Sequence, residues 1–418
     1  MSTLWKQQAR QIFSEIAELS QDLEIGITRE SYGAGENAAI AYLSQFARAN
    51  GLHVHTDRAG NVIYQRANDN GQPAIWIGSH LDSVPQGGNY DGLAGVVAGL
   101  LCLIRLDREQ VQTLQPLRVL GLRGEESAWF GKSYMGSRAL IGGLTGHDLA
   151  LVNRFSKKTL GEAMRAVGAD LEAIVSQQWL IEREQFAGYL EVHIEQAESL
   201  ERMGQAIGIV PGIRGNLRHN LVRCLGEDGH SGAVSREDRH DSVFAVSELV
   251  AHIDQRWGEW LSDGKDLVVT VGTFGTNASH HAVSRIPGEV SFSLEIRSLH
   301  QPTLEAFYRL IHAEIRHIEE HRQVRFEFDE RIDTQPAAMH GPWVDALVRV
   351  TREHGWKGVL TPSGAGHDAA VFANAGIPSA MLFIRNQHGS HNPHEAMELD
   401  DFIEATEVLY HTTQELTV

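Results

Sequence analysis

The stretch Ala74-Ile75-Trp76-Ile77-Gly78-Ser79-His80-Leu81-Asp82-Ser83 joins a short apolar run to two polar side chains. Its first five residues suit a strand buried on both faces, the kind found in parallel sheets. The run delivers His80 and Asp82 just past its end. Two apart in extended backbone, they face the same way. Working outward, Leu93 to Leu106 is apolar almost all round, as in a helix packed on a sheet. Leu117-Arg118-Val119-Leu120-Gly121-Leu122 reads as the next strand and runs into Gly124-Glu125-Glu126-Ser127. Strands alternating with helices predict an α/β fold: a mixed, largely parallel sheet with helices on both faces. Ligand sites in such sheets collect at the carboxyl ends of strands.

The rest of the chain extends this plan. Residues 4–20 and Asn37 to Asn50 show helical periodicity, and Leu52–His55 and Asn61–Tyr64 read as short strands. Past Glu195 the texture changes. A strand is followed by a helix over Asp241–Trp257, strands over Asp266–Phe274 and Glu289–Arg297, and a helix over Leu304–Glu320. This is a small α+β unit inserted into the first domain. Beyond it come a helix over Trp343–His354 and a buried strand over Pro378–Ile384. The expected boundaries are 1–208 and 326–418 for the first domain and 209–325 for the insert, with hinges near Gly208 and Phe326.

With 418 residues, 42% hydrophobic and 22% charged, the chain has the composition of an ordinary globular protein with ample core for two domains. A net charge of −18 argues against nucleic acid and against anionic membrane surfaces. An anionic substrate would need a local positive site. Cys102 and Cys224 have no metal-ligand spacing and fit a reduced, cytoplasmic compartment. The polar, basic start is not a signal peptide, and no run of about 18 apolar residues is present to span a membrane.

Five segments combine His, Asp or Glu with small or turn-forming neighbours: Ser79–Ser83, Asn89-Tyr90-Asp91-Gly92, Gly124-Glu125-Glu126-Ser127, Glu191-Val192-His193-Ile194-Glu195-Gln196, and Gly389-Ser390-His391-Asn392-Pro393. Each alone is also what a turn or a solvated surface carries. Together, most of them standing after an apolar run, they supply the carboxylates and imidazoles a two-metal hydrolytic centre requires.

The order His-x-Asp, Asp-Gly, Glu-Glu, His, His resembles that of the M20 metallopeptidase family, and within it the hydantoinase/carbamoylase amidohydrolases. The likeness covers nearly the whole chain. It includes Ile27-Thr28-Arg29, the turn Asp57-Arg58-Ala59-Gly60-Asn61, and Ser363-Gly364-Ala365-Gly366-His367-Asp368. His193-Ile194-Glu195-Gln196 is similar to the carbamoylase branch, where peptidase branches usually carry Asp in place of His193. The resemblance implies that Asp91 bridges two divalent ions, that His80 and His193 complete one, and that Glu126 and His391 complete the other. Glu125 would be the general base, with Asp82 orienting His80. Mixed His and carboxylate ligands suit Zn²⁺, Mn²⁺, Co²⁺ and Ni²⁺ alike.

The resemblance also implies that the insert forms a homodimer and reaches the substrate. Gly229-His230-Ser231-Gly232 is similar to the family's His-Ala-Gly segment, whose histidine acts in the partner subunit's site. Arg297 matches the arginine that grips the substrate carboxylate. Several positions depart from the family pattern. Ser284 stands where Asn is usual, Asn216 where Gln is usual, Ala233-Val234-Ser235 where Thr-Thr-Pro is common, and Ala197 where Gly is common. These departures put allantoate or a standard N-carbamoyl amino acid in doubt, not hydrolysis. The expected activity is metal-dependent cleavage of a linear amide or ureido C–N bond in a small carboxylate substrate. The rivals are an aminoacylase or dipeptidase of the same fold, and a binding protein that has lost catalysis. Retention of Glu125 argues against the last, because binding has no need of a free carboxylate beside the metals.

Overall fold

Seven consecutive residues, Ala74–His80, are buried, and this strand forms the middle of the principal sheet. The computed structural model describes residues 2–416, so residues 1, 417 and 418 of the expected domains lie outside it. Four central strands run parallel, in the order Leu117–Leu122, Ala74–His80, Phe186–Ile194 and Ser379–Ile384. Val62–Gln65 and then His53–Thr56 extend one side antiparallel. On the other side Ile207–Val210 is antiparallel to Ser379–Ile384, and Gly358–Leu360 pairs parallel with it.

Neighbouring residues of a strand face opposite ways, and here both faces are covered. A Cβ on Gly188 would fall 1.9 Å from Trp343 of the helix Gly341–Glu353. Tyr189, on the opposite face, packs on Phe372 of the helix Asp368–Asn374, with ring centroids 4.4 Å apart. The helix Leu93–Arg108, buried on nearly every side, lies against three of the central strands. The expected mixed, largely parallel α/β sheet flanked by helices is the one observed.

The chain divides into two compact units. One runs to Pro211 and resumes at Ala338; the other is Gly212–Ala337. The second boundary thus lies beyond the expected 325/326. Arg325–Phe328 and Ile332–Thr334 both pair with Gly215–Leu225, so the insert keeps them. Gly208 and Phe326, the expected hinges, are each held in a sheet. The insert is an antiparallel six-stranded sheet packed on the helices Ser242–Ser262 and Gln301–Arg322. In Glu289–Ser298 the alternation is clean: Val290, Phe292, Leu294 and Ile296 join the insert's own core, and the residues between are half-buried.

The strand expected over Asp266–Phe274 is broken into Val268–Thr270 and Phe274–Thr276. The backbone N–H groups of Gly272 and Thr273 donate to Ser293 Oγ at 3.1 and 3.0 Å, beside a bulge in the partner strand. Both cysteines are buried and free. Among the described residues no helix is long and apolar enough to cross a membrane.

Candidate metal centre

His80 closes the central strand, and the chain returns through a loop to Asp91 and Gly92 at the head of the helix Leu93–Arg108. Gly92 has φ +66°, and a Cβ there would meet the His80 ring at 2.5 Å. Glycine is needed both for the left-handed backbone and for the ring's approach. His193 projects from the neighbouring strand Phe186–Ile194. Glu126 caps the short helix Ser127–Phe130 after Leu117–Leu122, and His391 lies in the loop after Ser379–Ile384. All five expected ligands therefore converge from segments that follow, or end, the parallel strands.

Asp91 stands in the middle. Its Oδ1 is 3.3 Å from His80 Nε2 and 3.0 Å from His193 Nε2. Its Oδ2 is 3.4 Å from His391 Nε2, which is 3.3 Å from Glu126 Oε1. Two groups able to hold an ion result, His80–Asp91–His193 and Asp91–Glu126–His391, sharing Asp91. His391 is the exposed member at 51%; the other four are buried.

The tautomers test whether these residues suit cations. His193 Nδ1 donates to the Ile194 carbonyl at 2.8 Å, and His80 Nδ1 to the Asp82 carbonyl at 3.1 Å. In the neutral form that cation binding requires, each ring would turn an Nε2 lone pair toward the other, 3.3 Å away, and toward Asp91 Oδ1. Asp91 Oδ1 and Glu126 Oε1 are buried without a hydrogen-bond donor. Converging lone pairs repel unless positive charge lies between them, so the donor set fits divalent ions with N and O ligands.

Without ions the carboxylates favour protonated rings: against burial, Asp82 and Asp91 hold the His80 pKa well above the ordinary histidine value, and Asp91 raises that of His193. Burial works against ionised Asp91, but His193, His391 and His80 outweigh it and hold its pKa well below the usual range. Asp91 and Glu126 push His391 up to about 11. Burial, then Glu126, Asp368 and Asp82, push the Glu125 carboxyl well above its ordinary value against His80.

Asp82 ties the parts together. Its Oδ1 accepts the Glu125 N–H at 3.0 Å and lies 3.3 Å from His80 Nδ1. Its Oδ2 accepts the Glu126 N–H at 3.1 Å and the Ser31 hydroxyl at 2.5 Å. One buried carboxylate thus orients a histidine and both glutamates.

Four expected residues belong to the insert. His230 is exposed, and its Nδ1 accepts the Gly232 N–H at 3.2 Å. Ser284 lies beside it, its carbonyl accepting the Ser231 N–H at 2.8 Å. Asn216 and Arg297 are cross-strand partners. Arg297 holds Glu295 through Nε and Nη2 at 3.0 and 2.9 Å, so an incoming carboxylate must compete with that pair.

Other residues of the centre carried no expected role. Gln196 Nε2 donates to Asp91 Oδ2 at 2.9 Å, and Ser390 Oγ lies 2.7 Å from the same oxygen. Both stood inside quoted motifs, so the signal was adjacency to His193 and His391. Arg29 is buried and donates to the carbonyls of Leu81 and Asn89, bracing the loop that leads to Asp91. The His367 ring packs edge-on against His193, with centroids 4.5 Å apart.

Comparison with known proteins places the chain in a family. Residues 76–415 match the family model described as peptidase family M20/M25/M40. The chain is 31% identical over 405 residues to the N-carbamoyl-L-amino acid amidohydrolase of Geobacillus stearothermophilus, covering 96% of each. It is 32% identical over 401 residues to the allantoate amidohydrolase of Bacillus subtilis, covering 94% of this chain and 95% of that one. A hydantoinase/carbamoylase family amidase from Burkholderia multivorans shares the fold, with a TM-score of 0.89 at 24% identity over 99% of this chain and 98% of that one. With a match that spans both compact units and takes in all five converging ligands, this chain belongs to peptidase family M20/M25/M40.

Proposed function

We propose that the protein is a two-metal amidohydrolase cleaving a linear amide or ureido C–N bond in a small carboxylate-bearing substrate. The observation that carries this reading is Asp91, each of whose oxygens faces a different His-containing group, with Glu125 close enough to His80 and Glu126 to feel their charges. His80, His193 and Asp91 Oδ1 would hold one ion; Asp91 Oδ2, Glu126 and His391 would hold the other. When bound, such a pair polarises the scissile carbonyl and lowers the pKa of a bound water.

The remaining roles fall to the chain itself. Asp82 fixes the backbone of Glu125, so the carboxylate can take the proton of the attacking water and deliver it to the leaving nitrogen. Arg297 would receive the substrate carboxylate, exchanging its bond to Glu295 for one to substrate. His230 would stabilise negative charge on the reacting carbonyl oxygen of the partner's site. From an N-carbamoyl amino acid the products are the amino acid, CO₂ and NH₃. Similarity to an N-carbamoyl-L-amino acid amidohydrolase and an allantoate amidohydrolase supports non-peptide C–N hydrolysis over peptide cleavage.

Elemental analysis of metal-loaded protein and ammonia detection across carbamoyl, acyl and dipeptide substrates, with Zn²⁺ and Mn²⁺ compared, test the reading. About two ions per chain and ammonia from a ureido acid are expected. Folded protein that binds no metal sinks it, and turnover of acyl or dipeptide substrates alone moves the activity to an aminoacylase or dipeptidase.

A further inference from the structure

Glu395 is a buried carboxylate, 8% exposed, four residues beyond His391. Its Oε1 accepts the backbone N–H groups of Tyr90 and Asp91 at 2.8 and 3.2 Å. Its Oε2 lies 2.6 Å from Ser390 Oγ, which lies 2.7 Å from Asp91 Oδ2. A closed ring results. One end of the Glu395 carboxylate holds the Asp91 backbone; the other reaches the Asp91 side chain through Ser390.

The surroundings are shaped for this side chain. A Cβ on Gly88 would fall 2.1 Å from Glu395 Cδ, so only glycine leaves room. Gln387 and Ala396 exchange two backbone hydrogen bonds, at 2.8 and 3.1 Å, and close the loop that carries His391 at its base. Asn392 Nδ2 donates to the His388 and Ser390 carbonyls within that loop. Glu395 is therefore the link between two ligand-bearing segments some 300 residues apart in sequence.

We infer that Glu395, acting through Ser390, is a positioning residue that sets Asp91 Oδ2 against Glu126 and His391 and so builds the second ion site. Ser390 has one hydroxyl hydrogen and stands between two carboxylate oxygens. Its orientation therefore ties the Asp91 oxygen to the state of Glu395. Glutamine at 395 would keep the ring, since its carbonyl accepts from Tyr90 and Asp91 and its amide donates to Ser390. An apolar side chain of similar volume would break both ends.

The inference rests on the two-metal reading, and the test separates the two. Wild type, Glu395→Met, Glu395→Gln and Ser390→Ala are titrated with Zn²⁺ against a fluorescent competing chelator, resolving two affinities per chain. Thermal unfolding in excess chelator is recorded alongside. Removal of such supporting partners typically costs about 10–100-fold in metal affinity. Glu395→Met should lose that much at one site and little at the other, Glu395→Gln should stay near wild type, and Ser390→Ala should fall between. If Glu395→Met does not fold, loss at one site and not the other in Ser390→Ala carries the test. Unchanged affinities in Glu395→Met or Ser390→Ala overturn the inference, as does equal loss in Glu395→Gln and Glu395→Met. A wild type with no Zn²⁺ affinity overturns the two-metal reading instead.

Discussion

The carboxylates of Glu125 and Glu126 follow one another in the chain and meet different surroundings. Glu126 Oε1 stands 3.3 Å from His391 Nε2, while Glu125 is held by its backbone N–H on Asp82 and leaves its carboxylate uncommitted. Glu125→Gln should keep both ions and lose turnover by about 10²–10⁴-fold, as loss of a general base does. Metal content and rate measured on one sample check it, and near-normal turnover would refute the assignment. Glu36 offers a test of pH. It is buried, accepts the N–H groups of Tyr32 and Gly124 at 2.8 and 3.2 Å, and pairs with Arg123. Burial nevertheless lifts its pKa to about 7, above the ordinary carboxyl value. Folding thus favours the neutral acid: its contribution is full below about pH 4.5 and is lost as pH rises through 7. Glu36→Gln, which cannot ionise, should gain stability relative to wild type between pH 5 and pH 8, read from denaturant midpoints of metal-free protein. A constant difference across that range would show that Glu36 stays ionised in the fold. At this scale the five candidate ligands were legible because most sat in motifs after an apolar run and their order resembled that of a family. Glu395 was not, since its contact with Asp91 joins residues 304 apart, and nothing local marks it.

Elements were legible where the cause is local. The helix Leu93–Arg108 and the strand Leu117–Leu122 lie where continuous apolar character put them. The break at 271–273 was not, because it depends on Ser293 Oγ, 20 residues on. The late boundary at 337 was not either, because it depends on pairing with Gly215–Leu225 across more than 100 residues. The packing of Leu93–Arg108 makes its own prediction. A Cβ on Gly95 would fall 1.9 Å from the Val192 carbonyl oxygen, on the strand that carries His193. Gly258, at an exposed position of the helix Ser242–Ser262, has nothing within 4 Å. Removing helical glycine normally stabilises by about 1 kcal/mol. Gly258→Ala should follow that rule. Gly95→Ala should reverse it, destabilising by about 1–3 kcal/mol as overpacking does, and should also weaken metal binding. Unfolding midpoints and metal content decide, and a stabilised Gly95→Ala would mean the helix can move off the strand freely.

At the scale of the whole molecule, the insert's four expected site residues fall into two pairs, one on the main ladder and one beyond it. Asn216 and Arg297 face each other at one end of the pairing between Gly215–Leu225 and Glu289–Ser298. Leu225 and Glu289 mark the other end; beyond it His230 pairs with Arg285, and the neighbouring Ser284 carbonyl accepts the Ser231 N–H. Arg297 lies eight residue steps along the strand from Glu289, a span of about 26 Å at roughly 3.3 Å per residue. A small substrate gripped by Arg297 therefore cannot also touch His230 of the same insert. Either His230 takes no part, or it serves another subunit's substrate. His230 Nδ1 accepts the Gly232 N–H at 3.2 Å, which leaves Nε2–H as an outward donor, as the second alternative requires. A mixed dimer decides between them, with His230→Ala in one subunit and Glu125→Gln in the other. If His230 acts across the dimer, one centre carries both lesions and the other carries neither, so about half the activity survives. If His230 acts within its own subunit, each centre carries one lesion and the mixed dimer is nearly dead. Differently tagged subunits, coexpressed and purified on both tags, supply the species to assay. A dead mixed dimer, or a wild-type chain fully active as a monomer, would rule out the shared site.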